Sequence, residues 1–141
     1  MTYRLAAAAT LALLTGACAT VPETQPLAGT KWQLAEIETG GSTTTLDPAI
    51  QRRHTLAFRE GGELQAQLDC NRGRGTWTAG SAGTITFGPV MSTRMMCPQP
   101  SFGDRLAGGL AGVQRYTTAP GGKQLVLEGP DLRLTFTQAT E

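Results

Sequence analysis

The stretch TLAFREGGELQAQLDC, residues 55–70, predicts a β-hairpin. Its first part, residues 55–58, consists of residues that favour strands and ends at the turn residues 60–62. In the second part, Leu64, Ala66, Leu68 and Cys70 alternate with polar residues, so these side chains share one face of a strand. Turn residues between two such runs are a strong local signal for a hairpin. We therefore expect an antiparallel sheet around residues 55–70.

Shorter runs of the same kind flank this hairpin on both sides. Further strands are expected at residues 30–37, 76–78, 84–87, 114–117, 124–127 and 132–136. Residues 40–45 are expected as a loop, and the glycine-containing segment 71–75 as a tight connection. About seven or eight short antiparallel strands with frequent turns are typical of a curved sheet or a small barrel.

One helix is expected, over residues 101–113. Its apolar residues fall on one face at helical spacing: Phe102, Leu106, Leu110 and Val113. Ser101 with Asp104 three residues later resembles a capping box. Several glycines weaken the segment, so the helix must depend on packing against the sheet.

The N-terminus carries an export signal. Arg4 precedes an apolar run of about ten residues, which suits a signal peptide and is too short to cross a bilayer. The small residues Gly16 and Ala17 then precede Cys18. This segment resembles a bacterial lipoprotein signal, in which the cysteine accepts a lipid. The alternative is an ordinary secretory signal that is cut after Ala17 or Ala19.

The lipoprotein interpretation divides the chain into three parts. Residues 1–17 form a signal peptide that is removed, residues 18–26 a lipidated tether, and residues 27–138 the folded domain. Two or three acyl chains on Cys18 would anchor the protein stably to a membrane. The residue after Cys18 is Ala19 rather than Asp, which by the bacterial sorting rule favours the outer membrane. We therefore expect a lipid-anchored protein of the cell envelope that faces the periplasm.

Cys70 and Cys97 remain as an even pair once Cys18 is lipidated. In the oxidising compartment that export implies, we expect a disulfide between them. The alternative is two buried, reduced thiols.

Composition argues against several classes of function. The chain has 12 Lys plus Arg against 11 Asp plus Glu, so its charge gives no argument for a nucleic-acid partner. It has a single histidine, His54, and its acidic residues are scattered. This pattern provides neither a catalytic pair nor the ligand spacing of a metal site. We expect no enzymatic activity, no metal and no cofactor.

Four segments together resemble a known family. They are residues 27–34 (LAGTKWQL), 69–77 (DCNRGRGTW), 91–97 (MSTRMMC) and 132–136 (LRLTF). In this order they resemble the META domain, the family of the heat-shock protein HslJ. Asp69 stands where the family usually has Gly, and Met96 where it usually has Ala. The resemblance implies a mainly β fold with one helix, namely a small, lipocalin-like, partly open antiparallel β-barrel packed by that helix.

Two groups of side chains near the cysteines suggest further roles. Three methionines are expected to fill the core beside the cysteine pair, with a copper(I) site as the alternative: Met91, Met95 and Met96. Three arginines are expected to approach one another, either as solvated charges or as a contact for an anion or a lipid headgroup: Arg72, Arg74 and Arg94.

The family has no settled biochemical function and is linked in general terms to envelope stress. We predict a binding or scaffold role with an envelope protein as partner. One alternative is a small barrel that holds an apolar ligand, which requires an open interior. The other is an inhibitor of a periplasmic hydrolase that uses an exposed loop at residues 71–75. Six aromatic side chains are large enough to fill the interior and so favour the first role: Trp32, Phe58, Trp77, Phe87, Phe102 and Phe136.

Overall fold

The computed structural model describes residues 26–139. These residues form ten strands and two helices. The strands are β1 (Thr30–Thr39), β2 (Ser42–Thr45), β3 (His54–Phe58), β4 (Glu63–Leu68), β5 (Asn71–Ala79), β6 (Ile85–Phe87), β7 (Met91–Ser92), β8 (Arg115–Thr118), β9 (Gln124–Gly129) and β10 (Leu132–Gln138). The helices are α1 (Pro48–Gln51) and α2 (Gly103–Leu110). Neither helix is long and apolar enough to cross a bilayer.

The strands form one antiparallel sheet that curls into a barrel. Their order is β6-β5-β4-β3-β1-β10-β9-β8, with β2 paired to β1 and β7 paired to β5. The two outer strands meet where Thr84 bridges Arg115. Beside this bridge, the Ile85 N–H donates to the Gln114 carbonyl oxygen at 3.1 Å. The barrel is therefore nearly closed, with one seam, and the predicted fold class is confirmed.

Aromatic side chains fill the barrel interior. Trp32, Phe58, Trp77 and Phe136 are almost completely buried in a single apolar core. The rings of Phe58 and Trp77 meet edge to face with their centroids 5.1 Å apart, a favourable aromatic geometry. The Trp77 indole N–H donates to the carbonyl oxygen of Glu63 at 3.1 Å, so its one polar group is satisfied. The prediction that large aromatic residues occupy the interior is confirmed for these four, whereas Phe87 and Phe102 are only partly buried and pack against the core.

The hairpin of β4 and β5 turns earlier than the sequence predicts. Leu68 pairs with Asn71, so Asp69 and Cys70 alone form the turn. Asp69 has a φ of 65°, the left-handed conformation that two-residue hairpin turns use. This requirement explains why the family usually has Gly there. Cys70 thus lies in the turn and not in the strand.

The glycine-containing segment 71–75 is part of β5, so the predicted tight connection was wrong. Gly73 and Gly75 instead make room for a neighbouring segment. A Cβ atom on Gly73 would lie 2.9 Å from Cγ1 of Val90, and one on Gly75 would lie 3.1 Å from the Pro89 carbonyl oxygen. The two glycines therefore indicate close packing of a neighbouring segment rather than a chain reversal.

Helix α2 is confirmed, but it is shorter than predicted and has no capping box. No side chain caps its first turn, and the Phe102 N–H donates instead to Nε2 of His54 at 3.0 Å. Gly103 is buried where the helix meets β4, and a Cβ atom there would lie 2.5 Å from the Leu68 carbonyl oxygen. This glycine permits the packing on which the helix depends.

Two short elements depart from the prediction. Residues 42–45, expected as a loop, form β2 along the second half of β1. A second helix, the one-turn α1, precedes β3, and the Asp47 carboxylate accepts from the backbone N–H groups of Ala49 and Ile50 at its start. Asp followed by Pro is a common helix start, so this signal was present in the sequence.

Candidate functional site

Cys70 and Cys97 come together at one end of the barrel. Their sulfur atoms lie at bonding distance, and their Cα atoms are 5.6 Å apart, within the usual range for a disulfide. Cys70 belongs to the turn between β4 and β5, and Cys97 belongs to the segment that follows β7. The third predicted site residue, Cys18, lies outside the described residues.

The Asn71 side chain holds the segment that leads to Cys97. Its Oδ1 accepts from the Met95 N–H at 2.7 Å and from the Thr93 hydroxyl at 2.9 Å. Its Nδ2 donates to the Met95 carbonyl oxygen at 2.9 Å and lies 3.4 Å from the Cys97 sulfur. Only a carboxamide offers both donors and acceptors in this arrangement. The segments 69–77 and 91–97 are thereby joined by hydrogen bonds as well as by the cysteine pair.

Asn71→Asp should lower the free energy of unfolding by about 2–3 kcal/mol, because a buried carboxylate would then face the Met95 carbonyl oxygen. Urea unfolding measures the change. Gln124→Glu is the matched control, since it makes the same chemical change at an exposed position of β9 and should cost less than about 0.5 kcal/mol. Equal losses in the two variants would contradict the role assigned to Asn71.

The three methionines are exposed, so their predicted place in the core was wrong. The exposed fractions are 79% for Met91, 60% for Met95 and 99% for Met96. Val90 is the residue of this segment that packs against the core. In residues 91–97, the Met95 backbone and the Cys97 sulfur face Asn71. The three methionine side chains lie on the outside.

His54 is completely buried and has a structural position. Its Nδ1 lies 2.8 Å from the Ile50 carbonyl oxygen, and its Nε2 accepts from the Phe102 N–H. Backbone groups therefore occupy both ring nitrogens, which requires the ring proton on Nδ1. In residues 26–139, no three His, Cys, Asp or Glu side chains are grouped so that they could hold a metal ion.

A groove of about 650 Å³ crosses the outer face of β1, β3, β4, β5 and β7. The pairing register places Lys31 opposite Ala57, Ala57 opposite Gln65, Gln65 opposite Arg74, and Arg74 opposite Met91. These residues form one row across the five strands. Ala57 and Thr55 lie in β3 and are only 6% and 8% exposed. Because these side chains are small and their neighbours are long, β3 forms the floor of the groove.

The groove is basic. Its lining includes four cationic side chains and no acidic one: Lys31, Arg59, Arg72 and Arg74. One carboxylate lies beside it, that of Glu63, which accepts from Nε2 of Gln65 at 3.0 Å. Arg94 is exposed but does not line the groove. Two of the three arginines that were expected to approach one another, Arg72 and Arg74, therefore line the same groove.

Lys31 and Arg59 also belong to this site, although no sequence motif pointed to them. Lys31 alternates with buried residues along β1, so its outward orientation was predictable from the strand pattern. The position of Lys31 in the same row as Arg74 was not predictable, because it depends on the order and register of four strands.

The fold and this surface define a class: a small antiparallel β-barrel with a filled interior and one packed helix. A family model described as the META domain matches residues 25–141. The chain belongs to the META domain family. The META domain is not a known enzyme family.

Solved structures share this fold. An NMR structure of a protein from Burkholderia xenovorans has a TM-score of 0.67 and 24% identity, covering 93% of this chain and all of the other. A crystal structure of a DUF4847 family protein from Bacteroides vulgatus has a TM-score of 0.57 and 14% identity, covering 82% of this chain and 96% of the other. At these identities the similarity shows the fold alone. No curated protein is significantly similar in sequence to this chain.

Proposed function

We propose that this protein is a lipid-anchored lipoprotein of the cell envelope whose META domain is a non-enzymatic binding module. The filled barrel interior carries the proposal, because it leaves the outer surface as the place where a ligand or a partner is bound. The groove across β1, β3, β4, β5 and β7 supports it, since it is concave and lined by four cations. The partner is a component of the envelope, and the role belongs to its response to stress.

Anchoring rests on the sequence around Cys18. Arg4, the apolar run after it and the small residues before Cys18 have the order of a lipoprotein signal. Ala19 favours the outer membrane, with the domain facing the periplasm. The Cys70–Cys97 distance is consistent with export, since disulfides persist in oxidising compartments.

The two alternative functions have less support. An apolar ligand inside the barrel would need space that Trp32, Phe58, Trp77 and Phe136 occupy. The hypothesis of a hydrolase inhibitor requires an exposed loop at residues 71–75, but these residues lie within β5. A paired strand is not free to enter the cleft of an enzyme.

Cys18→Ser should abolish the incorporation of an alkyne-labelled palmitate, because the substituted chain lacks the thiol that accepts lipid. The wild-type chain, expressed in a Gram-negative host, should be labelled. Its intact mass should be that of residues 18–141 plus the whole attached lipid, including the glyceryl unit that joins the acyl chains to the sulfur.

The matched control is Ala17→Ser, which keeps a small residue before Cys18 and should remain labelled. An unlabelled wild-type chain that begins at Cys18 or Thr20 would contradict the lipid anchor and would indicate an ordinary secretory signal.

A further inference from the structure

We infer that the basic groove is a binding site for a ligand that carries two or more phosphate groups, either a soluble compound or a phospholipid headgroup. This inference deepens the proposed binding role and rests on it. It names the site and the chemistry of the ligand, neither of which follows from membership of the family.

The first argument is that the cations of the groove have no carboxylate partners. Within residues 26–139, the ion pairs are Arg53 with Asp69 and Arg133 with Glu128. Arg59 donates instead to the uncharged side chain of Gln65, from Nε at 3.2 Å and from Nη2 at 3.0 Å. Four like charges around one concavity repel one another, and a bound anion would relieve that repulsion.

The second argument is charge segregation. The chain is nearly neutral, with 12 basic and 11 acidic side chains, so the basic groove does not reflect an overall excess of positive charge. Glu38, Glu128 and Asp131 line a separate concavity of about 390 Å³, together with Arg133. Of these two concavities, only the groove combines several cations with no carboxylate in its lining.

The third argument is the spacing of the cations, which calls for more than one anionic group. Lys31 and Arg74 belong to one row and are separated by three strand spacings, or about 14 Å between their Cα atoms. Arg72 lies two residues from Arg74 on the same face, about 7 Å away. The cations are therefore spread along the groove rather than gathered at one point, which suits a ligand with several phosphates better than a single phosphate.

The fourth argument is the chemistry and size of the groove. Arginine forks match phosphate oxygens with two parallel hydrogen bonds. Gln65, Gln67 and Ser92 add uncharged polar groups to the lining. A volume of about 650 Å³ lies within the range for small-molecule sites. Together with the cations, this volume suits a compact polyanion.

Isothermal titration of the full-length chain in a neutral detergent with sodium tripolyphosphate tests the inference. The double substitution Arg72→Gln plus Arg74→Gln should weaken tripolyphosphate binding at least about tenfold, because it removes two charge-assisted contacts. The matched control is Arg52→Gln plus Arg115→Gln. It makes the same change in charge at exposed arginines outside the groove and should weaken binding less than about twofold.

Glu63→Gln provides a test in the opposite direction. It removes the carboxylate beside Gln65 and should tighten tripolyphosphate binding by about twofold. Doping the detergent with cardiolipin, whose headgroup carries two phosphates, identifies the source of the ligand. Competition with tripolyphosphate supports a headgroup site, and undiminished binding supports a site for a soluble phosphate compound.

Two results would overturn the inference: no heat of binding with the wild-type chain, or equal losses in the groove and control variants. The second result would indicate general electrostatic attraction without a site. Thermal unfolding of each variant shows whether it is folded. Palmitate labelling at Cys18 is independent of all these results, so failure of the groove and failure of the lipid anchor are distinguishable.

Discussion

Phe58→Ala should lower the free energy of unfolding by about 4 kcal/mol. Phe58 is completely buried and packs edge to face on Trp77, with Phe87 at 6.1 Å between ring centroids. The substitution removes a ring from the middle of the barrel, so the loss of apolar burial and the cavity left behind both destabilise the fold. Urea unfolding of the wild-type and substituted chains measures the difference.

The same variant tests whether the interior is filled. A dry apolar cavity of this kind binds small apolar molecules such as benzene, so Phe58→Ala should bind benzene and the wild-type chain should not. Phe58→Leu is the matched control, since it retains most of the apolar volume and should cost about 1–1.5 kcal/mol. Benzene binding by the wild-type chain would restore the apolar-ligand hypothesis.

Cys70→Ser and Cys97→Ser should each lower the free energy of unfolding by about 3.5 kcal/mol, as the chain-entropy model gives for a closed loop of this length. The two cysteines are separated by 27 residues. Each substitution breaks the same bond, so the two losses should be equal. For a domain of this size the melting temperature should fall by roughly 10–20 °C.

Two controls separate the bond from its individual cysteines. The double substitution should cost no more than either single one, and a reductant should bring the wild-type chain to the same stability. Unequal losses would indicate separate roles for the two thiols. Stability that neither substitution nor reductant changes would show that the disulfide does not form.

The cysteine variants also test whether the disulfide supports the basic groove. The Arg72 backbone N–H donates to the Thr93 hydroxyl at 3.1 Å, and the Thr93 N–H donates to the Arg72 carbonyl oxygen at 3.0 Å. The segment that ends at Cys97 therefore forms one wall of the basic groove. If the disulfide fixes this wall, its loss should also weaken tripolyphosphate binding.

Local patterns were sufficient for most of the strands and for the family. Alternation along residues 63–68 and the turn residues before them predicted the β3–β4 hairpin, because side-chain period and turn chemistry are properties of a few adjacent residues. The four family segments were also visible in the sequence, and the match over residues 25–141 confirmed them.

The errors arose where a residue type has two physical uses. Glycine permits a turn and also permits close packing, and Gly73 and Gly75 serve the second purpose. Methionine is apolar and usually buried, yet all three methionines of segment 91–96 are exposed, while the neighbouring Val90 packs against the core. Local sequence does not show which neighbour occupies the space.

The sequence by itself determined the class of protein: a β domain of the META family with a late helix and a cysteine pair at residues 70 and 97. Only the tertiary structure decided that Lys31, Arg59, Arg72 and Arg74 share one groove. The physical reason is that charge proximity depends on strand order and register. Burial of the apolar face of every strand sets both, and together they bring residues about 40 positions apart into one row.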